Sequence, residues 1–147
     1  MTAPVPLDQA QKDALVAAAR AVQHKAYAPY SHFHVGSALL TRTGAVHVGV
    51  NVENASYPVS QCAERTAIGA AFTAGDSDVI AVAVATDADT PVMPCGMCAQ
   101  ALFELSPTLL VIASGKGDVR REASIADVLP YAYQGEGLAV RPRGGRP

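Results

Sequence analysis

The 147-residue sequence has few of the features that mark membrane or nucleic acid proteins. It contains no tryptophan, 5% aromatic residues and 16% charged residues, with a formal net charge of −2. Proteins that bind a nucleic acid backbone usually present a basic face, and single-strand binders add aromatic side chains for stacking. Because the lysines and arginines here are mostly scattered, we expect a small-molecule ligand and no nucleic acid polymer.

Long apolar runs are also absent. No stretch approaches the roughly 20 apolar residues that span a bilayer. The first residues show no basic segment followed by an apolar run, which a secretory signal would have. We therefore expect a cytoplasmic protein without membrane partners. With 50% hydrophobic residues over 147 positions, residues 1–147 are predicted to form one domain around one core.

Cysteine is scarce, and its spacing is informative. An odd number of cysteines in a chain of this kind favours thiolate ligands over a disulfide framework. Cys62 opens one predicted helix, whereas Cys95 and Cys98 lie one turn apart at the start of the next. Side chains at i and i+3 share a helix face, so three sulfurs could meet at one ion. A catalytic zinc site uses three protein ligands and leaves the fourth position to water.

Spacing alone leaves other sites open. A C-x-x-C pair also occurs in redox proteins and in structural zinc sites, which need a fourth ligand. Glu64 favours a catalytic site, because a carboxylate two residues after a ligand can lie beside the bound water and move protons. The adjacent Arg65 is a candidate donor to a ligand sulfur, which would offset the charge of three thiolates.

Hydrophobic periodicity predicts an α/β fold. We expect helices over 8–24, 62–74, 95–105 and 125–129, and strands over 33–40, 46–52, 79–86 and 109–113, with a weaker strand or a loop over 116–122. This order indicates a three-layer αβα sandwich around a mixed, about five-stranded sheet. The first two strands are expected to form an antiparallel hairpin and the later ones to run parallel. The tail over 135–147 is predicted to be mobile.

Several segments together resemble one known family. Cys62-Ala63-Glu64-Arg65 and Pro94-Cys95-Gly96-Met97-Cys98 resemble the two zinc motifs of the cytidine deaminase family, in its small homotetrameric, three-cysteine branch. Cys62 stands where the general zinc-deaminase signature has histidine. Segments 27–33, 35–40 and 51–57 resemble the family in order and spacing, so the likeness spans roughly residues 27–105.

The resemblance implies roles for particular residues. One Zn²⁺ per subunit would be held by Cys62, Cys95 and Cys98, with Glu64 as the proton shuttle. Asn51 and Glu53 would hold the ribose 3′-hydroxyl. The expected substrate-binding set is completed by a pocket-lining ring, the backbone around one alanine and two further tyrosines: Phe33, Ala63, Tyr57 and Tyr133.

The implied reaction is hydrolytic deamination of cytidine or deoxycytidine to uridine or deoxyuridine plus ammonia, a step of pyrimidine salvage. The alternatives are a deaminase of a modified cytosine nucleoside such as blasticidin S and, more remotely, a structural zinc module. Two positions depart from the family pattern, which commonly has arginine at Ala99 and phenylalanine near Tyr133. A homotetramer with shared active sites would follow if Tyr133 reaches a neighbouring subunit.

Overall fold

The computed structural model describes residues 3–135. Its five-stranded sheet has the order β2-β1-β3-β4-β5. The strands are β1 Gly36–Thr41, β2 Val46–Val50, β3 Val79–Ala85, β4 Leu110–Ser114 and β5 Arg120–Ser124, and the helices are α1 Gln9–Gln23, α2 Ala63–Thr73, α3 Gly96–Leu105 and α4 Ile125–Val128. Within residues 3–135, no helix has both the length and the apolar character needed to cross a membrane.

Helix α1 covers one face of the sheet. Its first turn is closed by a capping box, in which the Asp8 carboxylate accepts from the Gln11 N–H at 2.8 Å and the Gln11 amide oxygen accepts from the Asp8 N–H at 3.0 Å. Leu15, Val16 and Ala19 are buried and pack on the side chains of alternate strand residues. These buried residues form the face of α1 that packs on the sheet.

Helices α2, α3 and α4 cover the opposite face. Leu39 of β1, Val82 of β3, Leu102 of α3 and Ile125 of α4 belong to this second apolar cluster, and all four are fully buried. Since successive strand residues point to opposite faces, Leu39 lies in this cluster while its neighbours Ala38 and Leu40 pack toward α1. The three-layer αβα arrangement with a mixed sheet is confirmed.

The sheet topology corrects one expectation. β1 pairs antiparallel with both β2 and β3, and β3 pairs parallel with β4, but β5 runs antiparallel to β4. Parallel pairing was wrong for β5 because only a short loop with a 3-10 turn at Lys116–Asp118 joins the two strands. A parallel crossover needs a dozen or more residues.

Element boundaries differ by a few residues from the prediction. The first strand begins at Gly36, not at Phe33, because the Asn51 side chain occupies the backbone groups of Phe33 and Val35. The uncertain segment 116–122 divides into the 3-10 turn and the start of β5 at Arg120. Apart from Gly135, the tail predicted to be mobile lies outside the described residues.

A glycine determines how closely α2 approaches the sheet. A Cβ atom added at Gly49 of β2 would lie 2.5 Å from the Ala63 carbonyl oxygen and closer still to the Ala67 nitrogen. Only a residue without a side chain allows this spacing. The amino-terminal half of α2, which carries the residues around Cys62, is thereby held against the sheet.

Candidate active site

The three cysteines converge at the amino-terminal ends of two helices. Cys62 is the N-cap of α2 and Cys95 is the N-cap of α3, both with extended backbone, so each precedes its helix by one residue. Cys98 lies in the first turn of α3 and is fully buried. Their Sγ atoms all lie within 4.8 Å of one another. Unpaired N–H groups and the helix dipole favour negative charge at such ends.

The sulfurs interact strongly with one another. The pKa of Cys62 is lowered to about 5, mainly by a hydrogen bond from Cys98 and further by Cys95 and Arg65. The pKa of Cys98 is raised, because its thiol donates to the Cys62 sulfur and is desolvated. The lowered pKa favours the thiolate form of Cys62. The cluster attracts a thiophilic cation.

Arg65 lies against this cluster. Its Nη2 donates to the Ser60 carbonyl oxygen at 3.1 Å, while its buried Nε has no hydrogen-bond partner. Arg65 also lowers the pKa of Cys62, and a partly buried cation next to a sulfur fits a ligand set with excess negative charge. Three sulfur donors beside an open cleft also fit zinc with one coordination position left for a small molecule.

Glu64 is buried next to the sulfurs. It lies in the first turn of α2 with 5% of its surface exposed. Burial raises the pKa of its carboxyl group, and the negative charge of Cys62 raises it further. Glu64 lines the same cleft as Cys62 and Cys95, and among the described residues the metal-binding group contains only the three cysteines. A buried carboxyl group with a raised pKa is suited to hold and release a proton.

The cleft in front of these residues has a volume of about 310 Å³. This lies at the lower end of small-molecule sites. The structure brings to its wall four of the predicted substrate-binding residues: Phe33, Asn51, Glu53 and Ala63. Its lining also includes residues that the sequence analysis did not single out, among them Ser31, Val84, Thr86, Val92 and Met93.

Asn51 holds the backbone that carries Phe33. Its Oδ1 accepts from the Val35 N–H and its Nδ2 donates to the Phe33 carbonyl oxygen, both at 2.8 Å. A side-chain amide thus replaces the pairing that a continued strand would have supplied. The Phe33 side chain, 40% exposed, is presented to the cleft. Asn51 keeps a second N–H and a second lone pair for a ligand.

Glu53 is held by the loop that precedes Phe33. Its carboxylate accepts from the backbone N–H of Tyr30 at 2.9 Å and of Ser31 at 3.2 Å, and makes a short bond with the Ser31 hydroxyl. These bonds, with the Ser31 hydroxyl foremost, lower the pKa of Glu53. The carboxylate is therefore ionised and acts as an acceptor at the rim of the cleft.

The two predicted tyrosines lie elsewhere. Tyr57, 72% exposed, lines an adjoining cleft of about 340 Å³ with Tyr30, and the two rings meet edge to face at 6.0 Å between centroids. Tyr133, 61% exposed, is held against α3 by Gln100 and is not among the described residues that line the cleft of its own chain. A contact between Tyr133 and substrate would have to come from another subunit.

Some of the missed residues had a signal in the sequence. Val92 and Met93 directly precede Pro94-Cys95, so their place beside the cluster follows from chain proximity. Thr86 follows the last residue of β3, at the carboxyl end of a buried strand where ligands commonly bind. Ala99 is 1% exposed within the second apolar cluster, so the small residue there is part of the core.

Comparisons with known proteins agree with this geometry. A family model described as "Cytidine and deoxycytidylate deaminase zinc-binding region" matches residues 9–114. The chain belongs to this deaminase family. A cytidine deaminase of Halalkalibacterium halodurans is 45% identical over 115 residues, which cover 77% of this chain and 86% of the relative.

Solved structures of the deaminase family share the fold. The crystal structure of a cytidine deaminase from Burkholderia pseudomallei superposes with a TM-score of 0.79 at 47% identity, covering 82% of this chain and 98% of that one.

A relative with a different named substrate also matches by sequence. A blasticidin-S deaminase of Bacillus cereus is 32% identical over 108 residues, which cover 68% of this chain and 76% of the relative. The family resemblance inferred from the cysteine segments is confirmed.

Proposed function

We propose that this chain is a zinc-dependent hydrolase that converts cytidine and deoxycytidine to uridine and deoxyuridine, with release of ammonia. One Zn²⁺ per subunit would be held by Cys62, Cys95 and Cys98. The observation that carries the proposal is the meeting of three sulfurs and the buried Glu64 carboxyl group at one cleft. The family membership and the cytidine deaminase relatives support the same reaction.

Glu64 performs the proton transfers of this reaction. A bound zinc ion supplies Lewis acidity, which lowers the pKa of water to near neutrality. The Glu64 carboxylate takes a proton from the attacking water and delivers it to N3 of cytosine. Once the water oxygen has bonded to C4, Glu64 carries the remaining proton of that water to the C4 amino group, and the C4–N bond breaks to release ammonia and leave a carbonyl at C4. Its raised pKa favours both steps, since a carboxyl group that holds its proton too weakly is a poor donor.

The substrate is positioned by groups on the wall of the cleft. Phe33 packs on the base, and the backbone at Ala63 contacts its polar edge. Asn51 and Glu53 hold the ribose 3′-hydroxyl, the first as donor or acceptor and the second as acceptor. A site built for a hydroxyl strongly disfavours analogues that lack it. Arg65 offsets the negative charge of the sulfur cluster.

Replacement of Glu64 tests the proton shuttle. In Glu64→Gln we expect cytidine turnover, followed by the ultraviolet change on conversion to uridine, to fall roughly 10³-fold or more, as for loss of general acid–base catalysis. Zinc content, measured by elemental analysis, should stay at one ion per subunit. Glu122→Gln, a surface acid paired with Lys12, is the control and should retain turnover. Turnover within tenfold of the parent in Glu64→Gln would exclude the assignment.

A second candidate substrate is a sugar-modified cytosine nucleoside. The 32% identity to a blasticidin-S deaminase favours it. Parallel assays with cytidine, deoxycytidine, cytosine and blasticidin S distinguish the two. We expect higher kcat/KM for the free nucleosides, because the proposed contacts of Asn51 and Glu53 need an unmodified ribose hydroxyl. A preference for blasticidin S would reverse the assignment.

We also propose a homotetramer with shared active sites. Its support is the exposure of Tyr131 at 98% and of Tyr133 at 61%, with Tyr133 outside the cleft of its own chain. Light scattering should give four times the chain mass, and a monomer would contradict the proposal.

The cytoplasmic location expected from the sequence stays a prediction, which cell fractionation can check.

A further inference from the structure

One side chain binds both backbone groups of a distant residue. Gln100 Nε2 donates to the Tyr133 carbonyl oxygen at 2.8 Å, and its Oε1 accepts from the Tyr133 N–H at 2.8 Å. A single carboxamide thus pairs with Tyr133 as a neighbouring β-strand would. One bond in each direction constrains both the position and the orientation of the Tyr133 backbone.

The segment held in this way has no regular structure of its own. Residues 131–135 form neither helix nor strand. Tyr131 and Tyr133 expose most of their surface, although an aromatic ring gains much from burial. The Gln100 bonds therefore hold the backbone from which the Tyr133 ring projects.

The other end of this connection is the helix that carries a predicted zinc ligand. Gln100 follows Cys98 by two residues on α3, and Cys98 and Leu102 bury that helix against the core. Any ring placed by Gln100 is consequently placed relative to a rigid element. A loop held only by its own chain ends would lack such a reference.

We propose that Gln100 is a positioning residue, which holds Tyr133 in the orientation needed to enter the cleft of a neighbouring subunit. This inference rests on the proposed function and on its shared sites. We call the two hydrogen bonds between Gln100 and Tyr133 the clamp. Because the Tyr133 ring serves another subunit, loosening the clamp weakens substrate binding in the neighbour's cleft and leaves the chemistry there intact.

Gln100→Met tests the clamp with a side chain of similar length that makes neither bond. We expect KM for cytidine to rise roughly tenfold, since two net hydrogen bonds no longer order the segment. The value of kcat, the zinc content and the tetrameric mass should stay close to the parent. Gln134→Ala removes an exposed carboxamide next to Tyr133 and should leave KM within twofold.

A double-mutant cycle shows whether Gln100 acts through Tyr133. In a Tyr133→Ala background, Gln100→Met should raise KM no further. If the two residues acted independently, the KM increases of the two single variants would multiply in the double variant. A tetramer in which Gln100→Met alone has the parent KM overturns the clamp while the proposed function stands. A monomer, or a parent KM in Tyr133→Ala, removes the shared site and the clamp with it.

Hybrid tetramers test the transfer between subunits. Glu64→Gln chains lack turnover but keep an intact Gln100 and Tyr133. They are mixed with Gln100→Met chains, and the hybrids are purified through two different tags. In these hybrids the active clefts belong to the Gln100→Met chains, and the neighbouring Glu64→Gln chains supply Tyr133 with its Gln100 bonds intact. The KM of these clefts should therefore return toward the parent value. Hybrids made instead with the Glu64→Gln, Gln100→Met double variant should keep the raised KM. Equal KM values in the two hybrids would overturn the proposal.

Discussion

The Asn51 side chain takes part in two kinds of interaction at the cleft. Toward its own chain it bonds the backbone of Phe33 and Val35, and toward the cleft it retains one N–H and one lone pair. The proposed ligand contact and the observed backbone contacts would therefore share one carboxamide. Its removal should affect the base pocket as well as the ribose.

Substrates with and without the 3′-hydroxyl separate the two contributions of Asn51. We expect Asn51→Ala to lower kcat/KM for cytidine by roughly 10²-fold, because a hydroxyl contact and the support of Phe33 are lost together. For 3′-deoxycytidine the loss should be smaller but still at least severalfold. Equal losses would assign Asn51 to support alone, and no loss with 3′-deoxycytidine would assign it to the ribose alone.

Asp76 ties the loop after α2 to the β1–β2 hairpin. Its carboxylate accepts from the hydroxyls of Thr41 at 2.8 Å and Thr43 at 3.2 Å, and lies 3.2 Å from His47 Nε2. These donors, Thr41 first, lower the pKa of Asp76 below its ordinary value. The folded state thus binds this proton more weakly than the unfolded state does. The resulting stabilisation is complete above the ordinary aspartate pKa and is lost as the pH falls below it.

Urea unfolding against pH checks this contribution. Asp76→Asn should lower the midpoint at pH 7, and the gap to the parent should narrow as the pH falls below about 4, the ordinary aspartate range. Asp78→Asn is the control, because Asp78 pairs with Arg42 at an exposed site where ion pairs contribute little. A gap that is constant over this pH range would contradict the assignment to Asp76 ionisation.

At the scale of elements, the cysteines and caps could be predicted and the sheet edge could not. The Asp8–Gln11 capping box and the one-turn spacing of Cys95 and Cys98 are local patterns, so the sequence carries them directly. The antiparallel direction of β5 depends on the length of a loop whose boundaries were uncertain. The late start of the first strand, at Gly36, depends on Asn51, whose hydrogen bond to Phe33 spans 18 positions of the sequence.

The contact between α2 and β2 is sensitive to one methyl group. Gly49→Ala would place Cβ against the backbone of α2 at Ala63 and Ala67. We expect a loss of about 2–3 kcal/mol in the free energy of unfolding, as for overpacked cores. Because the helix that begins there carries Glu64, turnover per folded molecule should fall as well.

Gly69, on the same helix, provides the matched control. A Cβ added at Gly69 meets no other part of the molecule within 4 Å among the described residues. Gly69→Ala should therefore stabilise the protein by about 0.5–1 kcal/mol, since alanine is the better helix former. Chemical denaturation of both variants is the measurement. Similar stability changes in the two would show that α2 is not confined at Gly49.

For the whole molecule, the two apolar clusters lie on opposite faces of the sheet, and neither of them includes Cys62, Cys95 or Cys98. Fold class and family were accessible from the sequence because buried strands alternate with helices and the cysteine segments are specific. The place of Tyr133 was not, because among the described residues it does not line the cleft that contains Glu64. Assembly depends on surfaces that no local pattern reports.

Metal removal separates a catalytic zinc from a structural one. Chelation should abolish cytidine turnover but leave the far-ultraviolet circular dichroism nearly unchanged, because the apolar clusters on both faces of the sheet do not include the three cysteines. Added Zn²⁺ under reducing conditions should return activity. Unfolding on chelation would instead indicate a structural zinc module.

The crowding of the three sulfurs has a consequence for the emptied protein. With the Sγ atoms of Cys62, Cys95 and Cys98 within 4.8 Å of one another, two of them lie close enough to be candidates for a disulfide bond. Air oxidation can then join a pair by removing two protons and two electrons, and the third sulfur alone cannot rebuild the site. A preparation stripped of its ion and stored without a reductant should lose activity that zinc alone does not restore, whereas a disulfide reductant such as dithiothreitol followed by zinc does.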